Sequence, residues 1–320
     1  MLKKMSIKKI LVSTSALFAL FLVYLIPKKE VITLDDVKQE LEYVDKSVIT
    51  ENIYLEDSNS YLARTLVAVN STDIEARAKE LLEILIKDGS GESKIPNGFK
   101  SILPSDTRIL SVKFIDDVLK VDLSKEFLDV KEEIEEKLIE AIVYTLTSID
   151  GVDKIILYVE GDILTKLPKT KINLPSTLDR SFGINKEYNI TKPKDISNVT
   201  VYYVSKFNDN YYYVPVTKYV NDDREKIRIV IDELTSTTNY NSNLMSFLNS
   251  NTKLISVNNS DNIMELEFNN SIINNLNTNE ILEEVIYTIA LSISDNYNVD
   301  EIVFSVEDEQ IYKTVLKEVE

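Results

Sequence analysis

The 320-residue chain has no cysteine and no histidine, and only six glycines. Without cysteine there can be no disulfide, thiolate nucleophile or cysteine metal site. Without histidine the commonest general base and the commonest metal ligand are missing. An enzyme made from this chain would have to work with carboxylates, lysine, tyrosine, serine or threonine alone. The phosphate-cradling patterns GxGxxG and GxxxxGK[ST] do not occur, nor does a Gly-x-Ser-x-Gly elbow or an EF-hand loop. Basic residues are also in short supply, 36 against 53 acidic ones, for a net charge of −17 and a pI near 4.6. Six of the lysines (Lys3, Lys4, Lys8, Lys9, Lys28, Lys29) precede the first acid, Glu30. Residues 30–320 therefore hold the other 30 basic side chains against all 53 acidic ones, a net of −23. That sign argues against nucleic acid as a partner, since phosphate binding needs clustered Lys and Arg.

What the chain does have is a repeat. Ile139–Glu160 returns as Leu282–Glu307, each an apolar helix with a Tyr-Thr pair (Tyr144-Thr145, Tyr287-Thr288) leading into a strand that starts Val-Asp (Val152-Asp153, Val299-Asp300). Thr107–Val112, TRILSV, recurs as Thr252–Val257, TKLISV, and the VAV of Val67–Val69 recurs as the VPV of Val214–Val216. The offsets of 145, 143 and 147 residues, in one order, mark a tandem duplication. With 44% hydrophobic residues both copies can build a core.

Ahead of the repeat, Ile10–Ile26 is apolar apart from Ser13, Thr14 and Ser15, with four lysines before it and two after. Its length and charge asymmetry predict an uncleaved single-pass anchor in the cell membrane, N-terminus inside and body outside. With no cysteine, a lipid-modified N-terminus is excluded. The expected organisation is a cytoplasmic tip and transmembrane anchor over 1–27 and a stalk over 28–49, where Leu34, Val37, Leu41 and Val44 follow a Thr33 cap. A first module over 50–167, a linker over 168–197 containing Pro168, Pro175 and Pro193, and a second module over 198–320 complete it.

The pattern predicts an α+β, two-layer fold for each module in the order ββ-α-ββ-α-β. Two helices would lie on one face of a mixed or antiparallel sheet. In the first module, Asp57–Ser60 turns a hairpin, and Thr72 with Glu75 forms a capping box. Ile74, Ala78, Leu81, Leu82 and Leu85 give that helix its core face, and Asp116-Asp117 turns a second hairpin. The second helix buries Ile134, Leu138, Ile142, Leu146 and Ile149. In the second module the run Tyr211-Tyr212-Tyr213 reads as a strand whose tyrosines alternate between core and solvent.

Several stretches resemble the GerMN (sporulation and spore germination) family. Thr107–Phe127, TRILSVKFIDDVLKVDLSKEF, is similar to its strand and hairpin end, and Ala141–Val159 to its helix and following strand. Arg180–Glu187, RSFGINKE, is similar to its exit segment, with Lys186 where proline is usual. Over 198–320 the resemblance rests on the repeat, since Leu266–Ser271, LEFNNS, lacks the VDLS wording. The resemblance implies a ring-building-like fold and a membrane-tethered envelope protein. Its partners would be envelope proteins of a sporulation channel complex, with homo-oligomer formation among the arrangements open to it. The better-known relatives that the resemblance points to are lipoproteins; this chain lacks the lipobox cysteine, and the helix Ile10–Ile26 is expected to take the lipid's place.

No catalytic, cofactor or metal set emerges from the sequence. The nearest nucleophile pairing, Ser124-Lys125, falls in the family-like strand end. The acid pairs Asp116-Asp117, Glu132-Glu133 and Glu135-Glu136 fall in a turn and on a polar helix face, and Asp150-Gly151-Val152-Asp153 offers calcium too few ligands. The expectation is a non-enzymatic scaffold without cofactor. The rivals are an extracytoplasmic sensory or accessory module of a membrane signalling system, and a cell-wall-binding or hydrolytic protein.

Overall fold

A computed structural model describes residues 49–236, 243–275 and 279–316, and these belong to one compact unit. The anchor, Thr33 and nearly all of the stalk lie outside the described residues. Among the described residues no helix is long and apolar enough to cross a membrane.

The first module opens with an antiparallel hairpin, β1 (Ile49–Asp57) and β2 (Leu62–Val69). Helix α1 (Ile74–Leu85) follows, then the short β3 (Phe99–Lys100), the hairpin β4 (Ile109–Ile115) and β5 (Val118–Leu123), helix α2 (Glu132–Leu146), β6 (Lys154–Val159) and β7 (Asp162–Ile163). After the short β8 (Glu187–Asn189), the second module repeats the plan. It has β9 (Ile196–Phe207), β10 (Asn210–Asn221), α3 (Lys226–Thr235), β11 (Leu254–Ser260), β12 (Ile263–Phe268), α4 (Glu283–Asn296), β13 (Glu301–Val306) and β14 (Glu309–Val315).

The expected elements occur in the expected order, with the strands β3, β7, β8 and β14 added to them, but the layering differs. Each module has a four-stranded sheet, β4-β5-β6-β7 or β11-β12-β13-β14, whose two middle strands run parallel. The opening hairpins do not join those sheets. They meet each other in a separate six-stranded sheet ordered β3-β1-β2-β10-β8, with β9 also paired to β10. Helix α2 is therefore covered on more than one side, and all seven residues from Leu138 to Tyr144 are buried. A single helical face on one sheet cannot bury that many consecutive residues. One continuous core spans the first hairpin, α1, α2 and sheet β4–β7, and a second core repeats this in the other module.

Local chemistry accounts for most boundaries. Asp116 and Asp117 both adopt positive φ, as a type I′ turn demands, and Asp261 and Asn262 do the same between β11 and β12. The α1 cap is Asp73, whose carboxylate accepts the Ala76 N–H at 3.1 Å, and not Thr72. Glu75, free of the capping box, accepts the Phe114 N–H at 3.0 Å and so ties the start of α1 to β4.

Candidate functional site

Residues 168–197, expected to be an extended linker, take part in a polar network that joins the two modules. Within it Leu174, Leu178 and Ile184 are buried, and Leu178 exchanges two 2.8 Å backbone hydrogen bonds with Ile155 of β6. The segment packs along the first module and then enters the seam between the hairpins.

Equivalent strands face each other at that seam. β2 and β10 run antiparallel, with Arg64 opposite Tyr213. The hydroxyls of Tyr54 on β1 and Tyr202 on β9 share a hydrogen bond at 2.9 Å. Tyr202 donates to Asp295 Oδ2 of α4 at 2.9 Å, so Tyr54 is the donor to Tyr202. Arg180 completes the arrangement. Its Nη1 pairs with Asp295 Oδ1, its Nη2 donates to Ser148 Oγ at 2.9 Å, and its Nε donates to Thr147 Oγ1 at 3.2 Å. The guanidinium lies 5.0 Å from the Tyr144 ring centroid and 5.7 Å from that of Tyr54. Burial opposes the Arg180 charge, but Asp295 and the surrounding tyrosines outweigh it and hold its pKa well above the ordinary value. Burial, with Asp295 next, pushes the Tyr202 phenol up as well.

Beyond Arg180, Gly183 at φ +82° lets the chain turn; a Cβ there would come within 3.1 Å of Thr217. Ile184 then exchanges bonds with Thr217 of β10 at 2.8 and 2.9 Å. Asn185 reads both modules at once: it accepts the Leu62 N–H and donates to the Leu62 carbonyl, and also donates to the Pro215 carbonyl at 2.7 Å. Its own N–H goes to Glu140 Oε2 at 2.9 Å. Lys186 lies 2.6 Å from Glu136, 3.7 Å from Glu140 and 3.5 Å from the centre of the Phe182 ring. Burial pushes Glu140 up to about 7 in spite of Lys186. Farther out, Asp57 of the first hairpin turn accepts the Tyr212 hydroxyl at 2.8 Å.

Of the residues with candidate chemistry, Ser124 and Glu135 have structural work. Ser124 is fully buried, and its hydroxyl accepts the Arg108 N–H at 3.0 Å while Lys125 faces solvent. Glu132 and Glu133 are exposed in the first turn of α2. Glu135, expected on the solvated face, is instead buried; it accepts the Lys169 and Thr170 N–H groups at 2.9 and 2.7 Å and the Thr170 hydroxyl at 2.7 Å. Asp150 and Asp153 face solvent. Of the tyrosine run, Tyr212 is buried and its phenol is pushed up to about 12 by burial, while Tyr211 is exposed beside Phe247. The sequence pattern does not point to the seam beyond the family-like word RSFGINKE, Arg180–Glu187.

A family model described as Germane, sporulation and spore germination, matches residues 52–165 and 200–312. The chain is 32% identical over 259 residues to the spore germination protein GerM of Bacillus subtilis (strain 168), covering 79% of this chain and 70% of that protein. It is also similar to the solved tandem GerMN domains of the sporulation protein GerM from Bacillus subtilis. That match has a TM-score of 0.75 and 30% identity, and covers 82% of this chain and 92% of the other. The duplicated landmarks fall in both matched regions and the seam joins the two copies, so the chain belongs to the Germane family of sporulation and spore germination proteins, in its tandem GerMN form.

Proposed function

We propose that the protein is a non-enzymatic scaffold of the sporulating cell envelope. Residues 1–27 anchor it in the cell membrane with the body outside, and protein–protein contacts let it support a mother cell–forespore channel complex. The observation that carries this reading is the use of the hairpins. They are consumed in the seam, which leaves β4 and β11 as matching outer edges of one compact unit. The two edges have the same β-bulge, at Leu110 and at Ile255, and there each presents an apolar side chain that is 48% or 58% exposed. Two edges with the same bulge suit a repeated partner, which gains from effective concentration. The net charge of −23 beyond residue 29 favours basic partner surfaces and makes assembly salt-sensitive.

The test is to follow a tagged copy through growth and sporulation, with and without disruption of the gene. Enrichment at the septum or around the engulfed forespore, together with a sporulation defect on loss, is the expected result. Uniform peripheral signal during growth, with normal spores on loss, would replace this reading with a sensory accessory. Resistance of the full chain to alkaline carbonate extraction checks the anchor.

A further inference from the structure

Beside the seam, a cleft of about 350 Å³ opens between α2, the exit segment and β10. Tyr188 of β8 and Tyr219 of β10 stack in it with ring centroids 4.8 Å apart and planes 16° from parallel. Tyr188 is 62% exposed, so the stack ends on a ring open to solvent. Burial, with the Glu136 charge next in weight, pushes both phenols up, so both rings stay neutral. Two carboxylates, Glu136 and Asp179, line the same cleft. Its lysine, Lys186, is already flanked by Glu136 and Glu140 and lies over Phe182. Asp179 caps its own turn by accepting the Ser181 N–H at 2.9 Å and has no ion-pair partner among the described residues.

A neutral aromatic platform next to a surplus of carboxylate selects for a planar cation. A guanidinium stacks on tyrosine and bonds a carboxylate through two N–H groups, whereas an ammonium does neither as well. We propose that this cleft binds an arginine side chain presented by an extended, basic segment of a partner protein, with Tyr188 as platform and Asp179 as counter-ion. The proposal builds on the scaffold reading by naming the partner's chemistry. It also breaks the symmetry of the duplication. The exit segment occurs once in the sequence, and the cleft it lines among the described residues belongs to the first module's side of the seam.

The test uses the full chain in detergent micelles and a fluorescently labelled hexa-arginine peptide, read by anisotropy at near-physiological salt. Saturation at one peptide per chain is expected. Tyr188→Ala and Asp179→Asn should each weaken binding about five-fold, Tyr188→Phe should leave it unchanged, and hexa-lysine should bind more weakly. Both substituted side chains are solvent-accessible and Asn keeps the cap acceptor, so folding is retained. Asp117→Asn removes the same charge from the β4–β5 turn and should have no effect. Equal weakening by Asp117→Asn, several peptides per chain, or indifference to Tyr188 would overturn the proposal in favour of diffuse charge attraction. Displacement of the peptide by an uncharged chitin oligosaccharide, with no dependence on Asp179, would overturn it in favour of a sugar site. If the peptide binds as expected in a protein whose loss leaves sporulation normal, the scaffold reading falls and the cleft remains. A sporulation defect with no peptide binding gives the reverse.

Discussion

The two modules have diverged in sequence far more than in the duties their side chains perform. In the first, Ser124 and Arg108 bond reciprocally: the Ser124 N–H goes to the Arg108 carbonyl, and the Arg108 N–H goes to the serine hydroxyl. In the second, Asn269 and Lys253 make the same pair, with the amide oxygen accepting at 2.9 Å. The lost VDLS wording is thus a change of acceptor at an unchanged joint. In the first module Thr145 of α2 accepts the Tyr54 N–H at 3.0 Å. Its sequence counterpart Thr288 bonds back to its own helix, and Ser292, one turn later on the same face, accepts the Tyr202 N–H at 2.9 Å. An unpaired backbone N–H in a buried place is costly, whereas several side chains can satisfy it. The duplication has kept the satisfaction and let the residue drift. The modules differ in earnest where they meet: Arg180 reaches Ser148 on one side and Asp295 on the other, so the seam's ion pair has no mirror image.

The largest effect should come from breaking that asymmetric pair. Arg180→Ala leaves Asp295, whose side chain is 3% exposed, without its cation, which typically costs about 3–5 kcal/mol. Urea unfolding of the variant should separate into two transitions, one for each module, where the parent shows one. Arg180→Ala with Asp295→Ala should lose less than the sum of the single changes. An unchanged single transition would mean that the hairpin pairing alone holds the modules together.

A second contrast is Glu140 against Glu283, 143 residues on. Glu283 is exposed, whereas Glu140 is buried and raised from 4.5 to about 7. Because the folded value lies above the unfolded one, the folded chain keeps a proton that the unfolded chain releases first. Stability should therefore fall as pH rises from about 4.5 to 7, by up to about 3 kcal/mol, and stay lower above that. Glu140→Gln should remove this slope, and Glu283→Gln should leave it intact, in denaturation midpoints taken between pH 5 and 8. A slope that survives Glu140→Gln would assign the proton elsewhere.

Features set by neighbouring residues were legible in the sequence. The core faces of α1 and α2 and the Asp116-Asp117 turn depend on a period of 3.6 or on one backbone conformation. Features set by distant partners were not. Nothing local tells β1 and β2 to leave the β4–β7 sheet for their counterparts, or tells Glu135 that residues 169–170 will cover it. Proline punctuation made 168–197 read as a linker because it signals extension without saying what the extended chain touches. β14, EQIYKTV, has no clear sequence signal because as an exposed strand it needs little apolar content. The seam's residues were visible as a family-like word whose physical meaning came only with its partners in place.

The smallest expected effect gives the sharpest test of equivalence between the modules. Ser124→Ala and Asn269→Ala each leave one backbone N–H, that of Arg108 or of Lys253, without its acceptor. Each should cost about 1–2 kcal/mol, the larger loss falling on Ser124, which is fully buried while the Asn269 bond is exposed. The reciprocal swaps separate role from fit. Asn269→Ser keeps an acceptor in an open site and should change the midpoint by less than the alanine variant does. Ser124→Asn keeps an acceptor but forces extra volume into a closed site, so it should cost more than Asn269→Ser. If both swaps were as damaging as alanine, the two joints would differ in backbone geometry, and the drift from VDLS to LEFNNS would have changed the fold locally instead of only the acceptor.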